Sequence, residues 1–193
     1  VPTGANTVGL DWVGVAASRL PGGVPLGDAK ARTALAGAWS APVAAEEAPS
    51  SLAEALETGR ARRVLVVGGD PIGAGNDPLA QALDRAEVLA YVGTNANATA
   101  ERADYVLPMA AFSEVTRCVV SLERRIQHSS PCDRPRGESR AGWSILAALG
   151  RRLGVGFDYE SWEDVRREIA ACHESLGTLA ELGPRAREGA MKP

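Results

Sequence analysis

The residues best placed to do chemistry sit in two short loops. Gly68, Gly69, Asp70 and Pro71 follow the apolar run Val64–Val67 in "RVLVVGGDPIGAGNDP", and Asn97 and Thr99 stand in "GTNANATAERAD". Glycines let a backbone approach a ligand closely, and hydroxyls, carboxamides and free N–H groups suit a phosphate or a ribose. The common phosphate-binding spellings are absent. G-x-G-x-x-G counted from Gly73 meets Pro78, and G-x-x-x-x-G-K counted from Gly68 reaches Gly73 and then meets Ala74. On this pattern a ligand loop and a tight turn without a ligand both stay open.

Other reactive side chains group less well. His128 lies beside Ser129 and Ser130, His173 flanks an apolar stripe, and no G-x-S-x-G elbow occurs, so both histidines read as ordinary surface residues. Glu114, Glu123, Arg124 and Arg125 read as an ion-pair network. Cys118, Cys132 and Cys172 are far apart and form no C-x-x-C pair. That argues against zinc or iron–sulfur ligands within the chain, and leaves each cysteine as a small apolar filler in a reducing compartment.

The elements around the two loops form a βαβ unit. The Val64–Val67 strand is continuously apolar, as suits a parallel strand covered on both faces. Asp77 as N-cap and Pro78 at the first helical position start a helix with Leu79, Ala82 and Leu83 inward, and "EVLAYVG" is the second strand. Ligands of such sheets bind at the carboxyl ends of strands, which is where both loops fall. "ADYVLP" gives a third strand stopped by Pro108. Ser51 with Glu54, and Ser161 with Asp164, have capping-box spacing, and Gly59 stops the first of these helices. Trp143, Leu146, Leu149 and Leu153 line one later helix; Trp162, Val165, Ile169, Cys172 and Leu176 line another.

The fold class expected is α/β, a three-layer, mostly parallel sheet with an irregular N-terminal arm. Residues 1–49 are that arm, rich in Gly, Pro and Ala, with one short helix from Asp28 to Gly37, packing on a neighbouring domain. Residues 50–176 are the α/β domain and residues 177–193 a flexible tail. With 193 residues, 45% hydrophobic and 23% charged, the chain suits a soluble globular protein. A net charge of -3 offers no basic field for nucleic acid. No window holds the ~20 apolar residues of a membrane helix, no secretory signal pattern is present, and a start at Val1 suits a piece of something longer.

Several strings then follow one another in order: "VVGGDP", "TAERADYVLPMAAFSE", "LERRIQ" and "GESRAGWSILAALGRRLG", with "GANTVGLDWVGV" ahead of them. The series, over residues 4–154, resembles the third domain of the molybdopterin oxidoreductases. Within that family it resembles the C-terminal part of the G or 75-kDa subunits of NADH-quinone oxidoreductase, respiratory complex I. The resemblance implies a Rossmann-like domain in an assembly that carries electrons from NADH to quinone through iron–sulfur clusters. In that family the clusters belong to cysteine-rich N-terminal domains, and none of those motifs occurs here.

In the molybdenum enzymes the equivalent domain helps hold a bis-pterin guanine dinucleotide, whose contacts map to Gly68–Pro71 and the loop around Thr99. The family pattern E-x-x-G-T-x-x-N-x-E-G-R-x-Q is here "EVTRCVVSLERRIQ". Arg117 and Arg124 replace glycines, Cys118 a threonine and Ser121 an asparagine, while Glu114, Glu123, Arg125 and Gln127 remain. Arginine at a glycine position closes a pocket or reworks a turn. The resemblance thus implies a mainly structural domain that has lost molybdopterin. Gly68, Gly69, Asp70, Pro71, Asn97 and Thr99 would be its vestigial cofactor site, with no catalytic residue and no metal ligand. The partners implied are the other domains of the same polypeptide and other peripheral-arm subunits of complex I, on the cytoplasmic face of the inner membrane. Trp12 and Trp39 are candidates for that packing surface. Two further readings stay open: an active molybdopterin-dependent oxidoreductase domain, and an independent nucleotide-binding module.

Overall fold

The computed structural model describes residues 6–16, 18–43, 51–75, 77–123 and 125–177. In chain order its elements are α1 (Thr7–Trp12), β1 (Arg19–Leu20), β2 (Val24–Pro25), α2 (Ala29–Trp39), α3 (Leu52–Glu57), β3 (Arg63–Val67), α4 (Asp77–Leu83) and β4 (Val88–Gly93). These are followed by α5 (Ala98–Arg102), β5 (Tyr105–Pro108), β6 (Arg117–Val120), β7 (Ile126–Ser129), α6 (Gly142–Arg152) and α7 (Trp162–Cys172). They fall into two compact units, each discontinuous in sequence. No helix among the described residues is long and apolar enough to cross a membrane. Of the expected tail, all but Gly177 lies outside the described residues.

The unit drawn from Ala48–Val115 and Pro131–Asp158 contains the α/β sheet. Three strands run parallel in the order β3-β4-β5, with Val64 opposite Leu89 and Val67 opposite Val92, and Val92 in turn opposite Leu107. Ser51 Oγ accepts from Glu54 N at 3.1 Å and starts α3, and Gly59, at φ 70°, follows its end as expected. Leu56, Val64, Ala82, Leu83 and Leu89 form one buried cluster, so α3 and α4 cover the Val64 and Leu89 face. The other face of β3 is open, with Leu65 39% and Val67 44% exposed. The apolar run predicts burial on both faces there. That expectation fails on β3, whose Leu65 and Val67 face is uncovered, while central β4 is the one buried, with Val92 at 0%. The stripe expected on α6 is also rotated: Ala147 and Gly150 are its buried residues, and Leu153 is exposed.

The other unit joins described parts of Val1–Glu47, Thr116–Ser130 and Tyr159–Pro193. Asp28 Oδ1 accepts from Ala31 N at 3.0 Å and caps α2. The stop expected at Gly37 is not used. The helix continues to Trp39 and ends on Ser40, which takes the left-handed backbone at φ 51°. A glycine inside a helix only weakens it; what ends the helix is the left-handed residue. β6 and β7 form an antiparallel hairpin, from Arg117 opposite Ser129 to Val120 opposite Ile126. On α7 the Ser161–Asp164 capping box is complete, as its spacing predicts. Trp162, Val165, Ile169 and Cys172 are half-buried on it, and buried Leu176 sits one turn beyond the helix end.

Core position therefore outweighs apolarity in the unit of three parallel strands. Leu83→Ala is expected to cost about 2–4 kcal/mol in urea unfolding, whereas Leu65→Ala is expected to cost about 1 kcal/mol or less. Equal losses would mean that the open face of β3 is packed as tightly as the α3–α4 side.

Candidate functional site

The first loop leaves the sheet abruptly. Gly68 N still donates to Val92 O at 2.8 Å, one residue past β3. Its φ of 71° then turns the chain away, a backbone that glycine alone adopts at little cost. Gly69 is exposed, with open space where a side chain would be. Asp70 and Pro71 are half-buried, and Ala74 N donates to Asp70 O at 2.9 Å to close a tight turn.

Asp70 is where the two loops meet. Its Oδ1 accepts from Gly73 N at 3.0 Å within its own loop. The same oxygen accepts from Thr99 Oγ1 at 2.6 Å and from Thr99 N at 3.1 Å. Thr99 Oγ1 accepts in return from Ile72 N at 3.3 Å, and Thr99 is wholly buried. The Thr99 hydroxyl, then the Gly73 N–H, then the N–H groups of Thr99 and Ala98 hold the Asp70 carboxyl below its ordinary range, against a smaller opposing effect of burial. Gly73 is required by this contact, since a Cβ there would run into the Asp70 carboxylate.

The first N–H groups of a helix have no partner within it. In α5 the chain itself supplies partners for Thr99, Ala100 and Glu101. Asp70 Oδ1 accepts from Thr99 N, Asn97 Oδ1 accepts from Ala100 N at 2.8 Å, and Glu101 N donates to Asn97 O at 3.0 Å. Asn97 Nδ2 is committed as well, donating at 2.7 Å to the hydroxyl of buried Tyr91 on β4. A resident carboxylate thus occupies the place where a phosphate would find donors.

Of the residues singled out from the sequence, Asp70 and Thr99 are brought into direct contact, and Asn97 caps the same helix. Gly68, Gly69 and Pro71 shape the turn without bonding to α5. Sequence reasoning missed Gly73 and Tyr91, and only Asn97, at N-cap spacing before Ala100, left a local signal. A separate cavity of about 170 Å³ in this unit is lined by Glu57, Pro78, Gln81, Ala82 and Arg85 and includes none of these residues.

The remaining candidates are scattered. Arg125 pairs with Glu123 at 3.4 Å on the surface. Glu114 Oε2 accepts from Ala111 N at 2.8 Å and its carboxylate lies 4.0 Å from Arg136, and Arg124 is outside the described residues. His173 Nδ1 lies 2.8 Å from Ser175 Oγ, whose oxygen also accepts from Trp12 Nε1 at 3.2 Å. Cys118 and Cys172 are half-buried, but Cys132 is exposed and so is not the expected core filler. Among the described residues no cluster of His, Cys, Asp and Glu could hold a metal ion. Arg117 sits in ordinary strand backbone, its Nε 3.3 Å from Ser129 Oγ. The arginine at that glycine position is built into a hairpin and strains no turn.

Residues 29–152 match the sequence profile of the family described as molybdopterin oxidoreductase. The G subunit of NADH-quinone oxidoreductase from Mycobacterium tuberculosis is 34% identical over 95% of this chain and 24% of its own length. A probable oxidoreductase of Bacillus subtilis is 27% identical over 86% of this chain and 17% of its own. The chain spans about a quarter or less of the length of these relatives. Acetylene hydratase from Pelobacter acetylenicus shares the fold, with a TM-score of 0.50 and 18% identity over 77% of this chain and 22% of that one.

The Asp70–Thr99 contact gives a testable pH signature. Asp70 has its carboxyl lowered from 3.8 in the folded state. Its contribution is therefore complete above pH 3.8 and is lost as the pH falls through the lowered folded value. The stability gap between wild type and Asp70→Asn is expected to be open at neutral pH and to close in the acid limb of a pH–stability profile. Thr99→Val, which keeps the shape and removes the hydroxyl, is expected to cost about 1–3 kcal/mol at neutral pH. A gap that stays unchanged throughout the acid limb would show that the charge of Asp70 is not what ties the loops.

Proposed function

This chain belongs to the molybdopterin oxidoreductase family, and from that premise we propose that it is the C-terminal section of the large peripheral-arm polypeptide of complex I, the G or 75-kDa type. Its α/β unit serves there as a structural domain whose pterin site has been given up. The overall reaction, electron transfer from NADH to quinone, belongs to the assembly, and the iron–sulfur clusters belong to the rest of the polypeptide. The similarity to the mycobacterial G subunit over 95% of this chain supports the assignment. Partners on this reading are the remaining domains of the same polypeptide and neighbouring peripheral-arm subunits, at the cytoplasmic face of the membrane.

The observation that carries the structural role is the Asp70 carboxylate bonded at the first turn of α5. A dinucleotide phosphate brought there would find the Thr99 and Ala100 N–H groups already bonded to Asp70 and Asn97. It would also face the Asp70 carboxylate, and the repulsion between two anions grows as water is excluded from between them. The residues present do not fit a pterin dinucleotide, so no chemical step is assigned to one. Arg117 and Cys118, built into β6, support the same reading.

Metal content of the full-length polypeptide purified from its source tests this directly. Iron without molybdenum is the expected result. Molybdenum near one atom per chain would overturn the structural role and restore Gly68–Pro71 and Thr99 as a cofactor clamp.

A further inference from the structure

The unit that carries the hairpin holds a cavity for which the proposed function has no use. Its volume is about 130 Å³, a little below the roughly 150 Å³ that admits one benzene ring. Residues of α1, β6 and α7 line it, Trp12, Cys118, Val120, Trp162 and Arg166 among them. Asn6, just before α1, sets its shape. It takes a left-handed backbone at φ 65° and ψ 18°, which asparagine tolerates better than most residues. Its side chain makes no cap bond to α1. Instead Oδ1 accepts from Val120 N at 2.7 Å and ties α1 to β6.

Two donors of the cavity wall are unspent. Trp162 Nε1 and Arg166 Nε are buried without a hydrogen-bond partner among the described residues, and their four-residue spacing puts them on one face of α7. Buried polar groups are normally bonded, so each orphan calls for a partner. No acidic side chain lines the cavity, and Arg166 forms no ion pair among the described residues. The Arg166 charge is nonetheless felt inside. Burial pushes the Cys118 thiol up and Arg166 pulls it part of the way back.

Aromatic and aliphatic walls, one fixed positive charge and unspent donors beside a spent acceptor together describe a complementary ligand. We propose that this cavity binds a small organic carboxylate, of about six non-hydrogen atoms by its volume, whose oxygens accept from Trp162 Nε1–H and Arg166 Nε–H while its hydrocarbon part lies against Trp12 and Val120. The apolar walls select against inorganic anions, which would lose their hydration there without return. The guanidinium selects against neutral isosteres.

Isobutyrate is a suitable probe, with isobutyramide as its neutral match and inorganic phosphate as its inorganic one. Calorimetric titration of the full-length polypeptide is expected to give saturable isobutyrate binding, with isobutyramide and phosphate weaker by about tenfold or more. Trp162→Phe keeps a large ring and removes the N–H, and Arg166→Gln removes the charge; each is expected to weaken isobutyrate by about tenfold. Without ligand, Trp162→Phe should melt no lower than wild type, because an orphaned donor has been removed. No saturable isobutyrate binding, or binding unchanged in both variants, overturns the proposal. Absent binding together with a lower melting temperature for Trp162→Phe would assign the donors to buried water.

Discussion

A short helix that begins at the carboxyl edge of a parallel sheet offers N–H groups with no partner inside the helix, and something must accept from them. In α5 that acceptor is a carboxylate from the neighbouring loop. Asp70 Oδ1 gathers Gly73 N, Thr99 N and Thr99 Oγ1, so one oxygen joins the loop after β3 to the helix after β4. The other features of the edge follow from this contact. Gly73 must lack a side chain to leave the carboxylate room. Thr99 must be buried to meet it, and Ile72 N turns back onto the Thr99 hydroxyl. Asn97 then has only the next donor to satisfy, and its side-chain N–H groups are left to fix Tyr91.

The same constraint has two physical solutions. A bound phosphate can satisfy the helix N-terminus, or a side chain of the protein can do so. A side chain has the advantage of permanence, since it is tethered and needs no ligand concentration to stay in place. It also competes with the other solution, because it takes up donors and places a negative charge at the spot. Glycine-rich loops therefore say little by themselves about whether a ligand binds. What decides is the direction in which their one acidic side chain points, and here it points inward.

Much of the fold is legible in the residues because its signals are local. The strands around Val64–Val67 and Val88–Gly93 are apolar runs, Asp28, Ser51 and Ser161 cap the helices that follow them, and the Ser161–Asp164 box needs only three residues of spacing. The misreadings are of a different kind. Gly37 looks like a stop, but the left-handed residue is Ser40. Leu65 and Val67 are as apolar as their neighbours, yet they lie on the uncovered face of β3. Composition alone points to the candidate site, yet its working contact spans 29 positions, from Asp70 to Thr99. No periodicity encodes such a pair. The hairpin of β6 and β7 is hidden too, since four-residue strands studded with polar side chains carry too few alternations to count.

That hairpin also shows what backbone its residues adopt. A glycine is needed where the backbone turns left-handed or where something approaches closely. At Arg117 neither condition holds, because the residue lies in a strand opposite Ser129 and reaches its hydroxyl. Once the stretch is a ladder, β-branched and long side chains are better there than glycine. Val119 and Val120 continue the strand, and the N–H of Val120 donates outward to the Asn6 carboxamide. The strand backbone at Arg117 and the anchoring of α1 on the hairpin are thus parts of one arrangement. It joins chain segments more than a hundred residues apart in sequence, as the 114-residue separation of Asn6 and Val120 records.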